Sequence, residues 1–230
     1  MKPRLYIHKI RFLKLTLGSD LKHLRLFLLV FLTAFAGLSQ AASVSFGLNE
    51  NNIDLDNTID YATVTISDSI VAGAIDFVID VNNDFFGEGN NFGIQSFFFN
   101  SALSIGPANV IATSNTNWAF LTDFGDGPND GFNASQFGRF DITYRGTGNL
   151  REDPLAFTIR ADGDEDLMTY ALNNTSGFAF AAHIAGFNNV DGADSGWFAS
   201  DLSPVPVPAS FWLFGTALIG FIGISRRTRV

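Results

Sequence analysis

Three stretches of the chain crowd carboxylates closely enough to hold a cation. DFGDGPND places Asp123, Asp126 and Asp130 among glycines and a proline. DGDED gathers Asp162, Asp164, Glu165 and Asp166 just after a strand-like run, and DLDNTID sets Asp54, Asp56 and Asp60 around a short polar turn. Calcium favours several carboxylate and carbonyl oxygens on a flexible loop, so each cluster offers suitable ligands. None has EF-hand spacing: counted from Asp162, the sixth position is Leu167 where glycine is needed, and the twelfth is Asn173 where glutamate is needed. The competing reading is a set of solvated turns, since Asp and Asn side chains bond their own backbone nearby. Calcium is the one cofactor these patterns admit.

Catalytic chemistry is thinner. Between residues 42 and 203 there is one histidine, His183, in the run FAFAAHIAGF, and the whole chain has no cysteine. No G-x-S-x-G or H-E-x-x-H pattern occurs. A pair of acids converging as in a glycosidase is the remaining enzymatic option. Trp118 and Trp197 could stack on sugar rings, although lone aromatics in strand-like runs more often fill a core. These residues point to a protein that is not an enzyme.

The elements that must carry these residues are strands. Ala62, Val64 and Ile66 alternate with threonines; Phe140, Ile142 and Tyr144 alternate with Asp141, Thr143 and Arg145; Leu155, Phe157 and Ile159 alternate with Ala156, Thr158 and Arg160. A period of two sets one face on a core and the other in water. Further strands are expected at 75–81, 94–103, 118–124, 178–184 and 196–200. Clusters such as NNDFFGEGNNFG and DFGDGPNDGFN read as loops between them. The spacing predicts an all-β domain over 42–203, an antiparallel β-sandwich of jelly-roll-like arrangement, with many of the chain's 25 phenylalanines filling its core.

Charge is unevenly placed. Residues 42–203 hold 22 acids against four arginines and no lysine, a net charge of −18. Such a surface repels phosphate backbones, which excludes nucleic acid as a partner. Without cysteine, neither a disulfide framework nor a thiolate metal site is available.

Basic residues concentrate at the two ends. Residues 1–41 read as a secretory signal peptide: Lys22 and Arg25 precede a 13-residue apolar run at 26–38, and Ser39-Gln40-Ala41 supplies small residues before a cleavage between Ala41 and Ala42. The run is shorter than the ~20 residues of a spanning helix. At the other end, residues 204–230 contain Val205, Pro206, Val207, Pro208 and Ala209, then an apolar stretch at 209–224, then Arg226, Arg227 and Arg229. The prolines suit the approach to a helix. The 16 apolar positions make a short transmembrane helix of roughly 24 Å. Trp212 sits near one interface and the arginines hold the other end in the cytoplasm.

In its order of parts (a proline motif, then Trp212-Leu213-Phe214-Gly215 opening an apolar helix, then the arginine cluster) this tail resembles the PEP-CTERM sorting signal. The family's Pro-Glu-Pro glutamate is replaced here by Val207. The resemblance implies a Gram-negative host. It also implies processing by signal peptidase and then by an exosortase, a membrane-embedded transpeptidase, with the inner membrane occupied only transiently. The destination it implies is the cell surface or the extracellular matrix, with extracellular polysaccharide and biofilm as surroundings. The alternative for the central domain is a carbohydrate- or calcium-binding module.

Overall fold

The computed structural model describes residues 42–200 apart from 126, 128, 162–165 and 191. Residues 1–41, read above as a signal peptide ending at Ala41, and the tail 201–230, with the residues of its proline motif, apolar stretch and arginine cluster, lie outside the described residues. The fold is all-β and its strand pairs are antiparallel.

In chain order the strands are β1 (Ser43–Leu48), β2 (Glu50–Asn51), β3 (Ala62–Asp68), β4 (Ile75–Val81) and, after a helical turn α1 (Asn83–Phe86), β5 (Glu88–Phe99). There follow β6 (Val110–Thr113), β7 (Ala119–Thr122), β8 (Phe132–Asn133), β9 (Arg139–Phe140) and β10 (Ile142–Arg145). The last three are β11 (Leu155–Ile159), β12 (Phe180–Val190) and β13 (Ala193–Ser200). One sheet runs β1-β3-β4-β11-β6, a second β2-β13-β12-β5-β10-β7, and β8 and β9 form a separate two-stranded pair.

Alternation places the core. Ala62, Val64 and Ile66 of β3, Ile75, Phe77 and Ile79 of β4, and Leu155, Phe157 and Ile159 of β11 are all buried. They meet Phe97 and Phe99 of β5, Ile142 and Tyr144 of β10, Phe180 of β12 and Phe198 of β13 in a single apolar cluster. Rings from the two sheets touch directly: Phe46 lies 5.1 Å from Phe180, and Phe77 lies 5.3 Å from Phe99, centroid to centroid. Each such side chain contributes about 1.5–3 kcal/mol by leaving water, so aromatic packing dominates this fold's stability.

The opposite face of the six-stranded sheet carries a smaller cluster. Phe98, Ala181 and Ala199 are covered by Ala134, Phe137 and Phe140 from the segment around β8 and β9. This corrects the even alternation read from the sequence. Phe140 does not share a face with Ile142 and Tyr144, because the chain bends at Asp141. That bend is held by the Asp141 amide donating to Asn100 Oδ1 (2.9 Å) and the Asp141 carbonyl accepting from the Asp123 amide (2.8 Å).

Other boundaries also move. β5 begins six residues before the predicted 94 and stops at Phe99, where the Asn100 side chain turns to bond Asp141 and the Leu172 carbonyl. NNDFFGEGNNFG, read as a loop, contains α1 and the start of β5. Gly93 makes this possible: at φ +133° a β-carbon there would lie 2.8 Å from the Glu152 carbonyl oxygen, which accepts from the Ile94 amide. Trp118 closes a turn onto the Asn115 carbonyl, so its strand starts at Ala119. Among the described residues no helix is long and apolar enough to cross a membrane.

Candidate functional site

The site is built on the outward face of the six-stranded sheet. Arg145 on β10 pairs with Ser96 on β5, Ser96 with His183 on β12, and His183 with Trp197 on β13. Because side chains directly opposite on paired strands stand about 5 Å apart on the same face, these four form one row across four strands. Thr143 and Phe98 pair in the row beside it. Together with Gln95, Asn133 and Thr147 they line a groove of about 630 Å³ whose lining, among the described residues, includes no aspartate or glutamate.

Trp197 is held from behind and beside. Its amide donates to Asn52 Oδ1 (2.8 Å) and its carbonyl accepts from the Asn52 amide (3.2 Å), fixing the backbone of β13 at this point. Its ring stacks on His183 at 4.9 Å with planes 25° apart, and lies 5.4 Å from Phe98. Burial first, and the positive charge of Arg151 second, push the His183 imidazole below its ordinary pKa. Near neutral pH it is therefore an uncharged plane extending the indole. Thr143 is 1% exposed, and its hydroxyl has no hydrogen-bond partner among the described residues. A buried hydroxyl left unpaired costs about 1–3 kcal/mol unless something bonds it.

A second hollow, of about 750 Å³, holds part of the acidic loop DFGDGPND. There the carboxylates serve the loop itself. Asp123 accepts from the Gly131 amide (3.0 Å) and Asp130 from the Gly127 amide (2.6 Å). Arg139 braces the same turn, donating to the carbonyls of Asp130 (2.8 Å) and Gly131 (2.6 Å). Asp166 caps the short helical turn Leu167–Tyr170 by accepting from the amides of Met168 (2.8 Å) and Thr169 (3.0 Å). Asp56 accepts from the amide and hydroxyl of Thr58, and those bonds lower its pKa. Asp126, Asp162 and Asp164 lie outside the described residues. Among the described residues no three His, Cys, Asp or Glu side chains gather as a metal site.

The two tryptophans that the sequence pairs as sugar platforms part company. Trp118 is 7% exposed, within the main core, 5.2 Å from the ring of Tyr144. Trp197 faces the groove. Ser96, Thr143 and Arg145 carry no motif in the sequence, since only strand register brings them beside His183 and Trp197.

Comparison with known families gives one match, the PEP-CTERM protein-sorting motif, across residues 204–227. The chain carries a PEP-CTERM sorting motif. The matched residues include Val205, Pro206, Val207, Pro208, Ala209 and the Trp212-Leu213-Phe214-Gly215 run. The motif implies export, membrane-associated processing by an exosortase, and delivery to the surface. No family match falls on residues 42–203. The comparisons with curated proteins and with solved structures returned no match.

Proposed function

We propose that this is an exported, non-enzymatic surface or extracellular-matrix protein of a Gram-negative bacterium, associated with exopolysaccharide in a biofilm. The observation that carries the reading is the PEP-CTERM motif at 204–227. Behind it stands an acidic all-β body. Its two facing sheets are read as a β-sandwich with jelly-roll-like crossings, since the chain passes between sheets from β1 to β2, β2 to β3, β4 to β5, β5 to β6, β6 to β7, β10 to β11 and β11 to β12. In this reading, signal peptidase releases the chain at Ala41–Ala42. The 209–224 helix then holds it in the inner membrane, and the exosortase removes the tail. No cofactor is required.

Deleting the exosortase of the producing cell tests the reading. The chain should then accumulate in the membrane with residues 209–230 retained, while wild-type cells release a form that begins at Ala42 and lacks them, as read by intact mass. An unchanged mass and location in the deletion strain would overturn it. Turnover of a polysaccharide, abolished by changing a pair of acids, would overturn its non-enzymatic part.

A second reading, a carbohydrate-binding module, is favoured by the groove that holds Trp197.

A further inference from the structure

We infer that the groove over β5, β10, β12 and β13 is a binding site for an uncharged saccharide chain, with Trp197 as its platform and Thr143 as a buried hydrogen-bonding partner. This deepens the proposed polysaccharide association and rests on it.

Three observations converge. The first is shape and composition: an open groove of about 630 Å³ combines an aromatic face with neutral amide and hydroxyl side chains, Gln95, Ser96, Asn133 and Thr147 among them. A pyranose presents an apolar C–H face and a rim of hydroxyls. It would bury the first on the indole and satisfy the second with these groups. The second is preorganisation. Trp197 is fixed by the two-way bond with Asn52 and by its stack on His183, so little freedom is lost when a ligand arrives. The third is the unpartnered hydroxyl of Thr143, buried in the strand that lines the groove. A native fold retains such a group at a cost, and a ligand recovers that cost once the side chains over the hydroxyl move aside and let it bond.

Charge selects among saccharides. Among the described residues of the groove's lining, Arg145 is the one cationic side chain, against a body of net −18. At low ionic strength the body's field repels a polyanion before it can reach the groove, whereas a neutral chain is indifferent to it.

The test uses the full chain purified in detergent. Titration calorimetry would follow neutral gluco-, galacto- and manno-oligosaccharides, with polygalacturonate and polyphosphate as the charged arms. At least one neutral oligosaccharide should bind, and Trp197→Ala should weaken it about tenfold, the scale of one aromatic contact. Thr143→Val is the decisive variant. It removes an unpartnered buried hydroxyl, so the melting temperature should hold or rise while affinity falls several-fold. A merely structural threonine would not separate the two readouts. Binding of none of the neutral sugars, binding untouched by both substitutions, or preference for polygalacturonate or polyphosphate would overturn the inference. If sugars fail to bind while surface delivery still depends on the exosortase, only the groove assignment falls. Delivery that ignores the exosortase would remove the parent reading instead.

Discussion

His183 and Trp197 face each other across β12 and β13, their rings stacked 4.9 Å apart. The imidazole is shielded by the fold and lies within reach of the positive field of Arg151, so both causes lower its pKa. The unfolded chain therefore takes up the proton first. Stability from this group is fully present above the unfolded value of about 6.5 and is lost as pH falls through the depressed folded value. Thermal melts between pH 8 and 5 should show the midpoint falling below about pH 6.5, and His183→Phe, which keeps a ring on the indole, should flatten that segment. An equal slope in both proteins would show that the loss comes from elsewhere.

Phe77 joins the two sheets. Its ring is stacked on Phe157 at 4.7 Å with planes 8° apart, and also lies 5.3 Å from Phe99 and 5.6 Å from Tyr170. Phe77→Ala should cost about 3–5 kcal/mol through lost burial and the cavity left behind, while Phe77→Leu should cost markedly less. Denaturant midpoints measured at a common slope give both values.

Gly186 interrupts the register between β12 and β5, where Ala185 pairs with Gly93 and Phe187 pairs with Glu88. At φ +79° it passes so close to its neighbour that a β-carbon would lie 2.6 Å from the Asn91 carbonyl oxygen. Gly186→Ala should therefore destabilise by about 1–3 kcal/mol, from the strained backbone and the clash together. A smaller effect, within a few tenths of a kcal/mol in chemical denaturation, would mean that the bulge relaxes freely.

Much of this architecture is legible in the chain because strand periodicity is local. The alternations at 62–66 and 155–159 and the run at 75–81 become β3, β11 and β4, with one face of each buried and Val78 of β4 left exposed on the other. β1 and β6 carry weaker signals. Ser43–Leu48 follows directly on the apolar and small-residue run at 26–41, and Val110–Thr113 leaves Ile111 39% exposed at a sheet edge. The bend at Asp141 is invisible locally, since its partners Asn100 and Asp123 lie far away in sequence. The groove is less legible still. Ser96, Thr143 and Arg145 become neighbours of Trp197 only through strand pairing, and nothing in the sequence ranks Trp197 above Trp118 as a surface platform.

Orientation in the membrane before processing should depend on the last basic cluster. Changing Arg226, Arg227 and Arg229 together to Asn removes the positive charges flanking the apolar stretch at 209–224. Membrane-bound precursor should fall, with protein lost early to the periplasm, as fractionation and immunoblotting would show. Unchanged retention and processing would mean that the helix and the proline motif suffice.

With a net charge of −18 over residues 42–203, self-repulsion is strong at low ionic strength, and any salt should relieve it. The described loop acids already have work inside the fold: Asp123 and Asp130 bond backbone amides of their own loop, and Asp166 caps a helical turn. A carboxylate that accepts from an amide can still bind calcium, but it would have to give up or share those bonds. Millimolar calcium should therefore raise the melting temperature no further than sodium chloride at matched ionic strength. Asp126→Asn and Asp164→Asn should leave the two salt responses equal. If calcium instead gives an excess stabilisation that grows with its concentration, linkage of binding to folding is at work. Loss of that excess in one of the two variants would then place the ion in the corresponding loop and move the body into the calcium-dependent class.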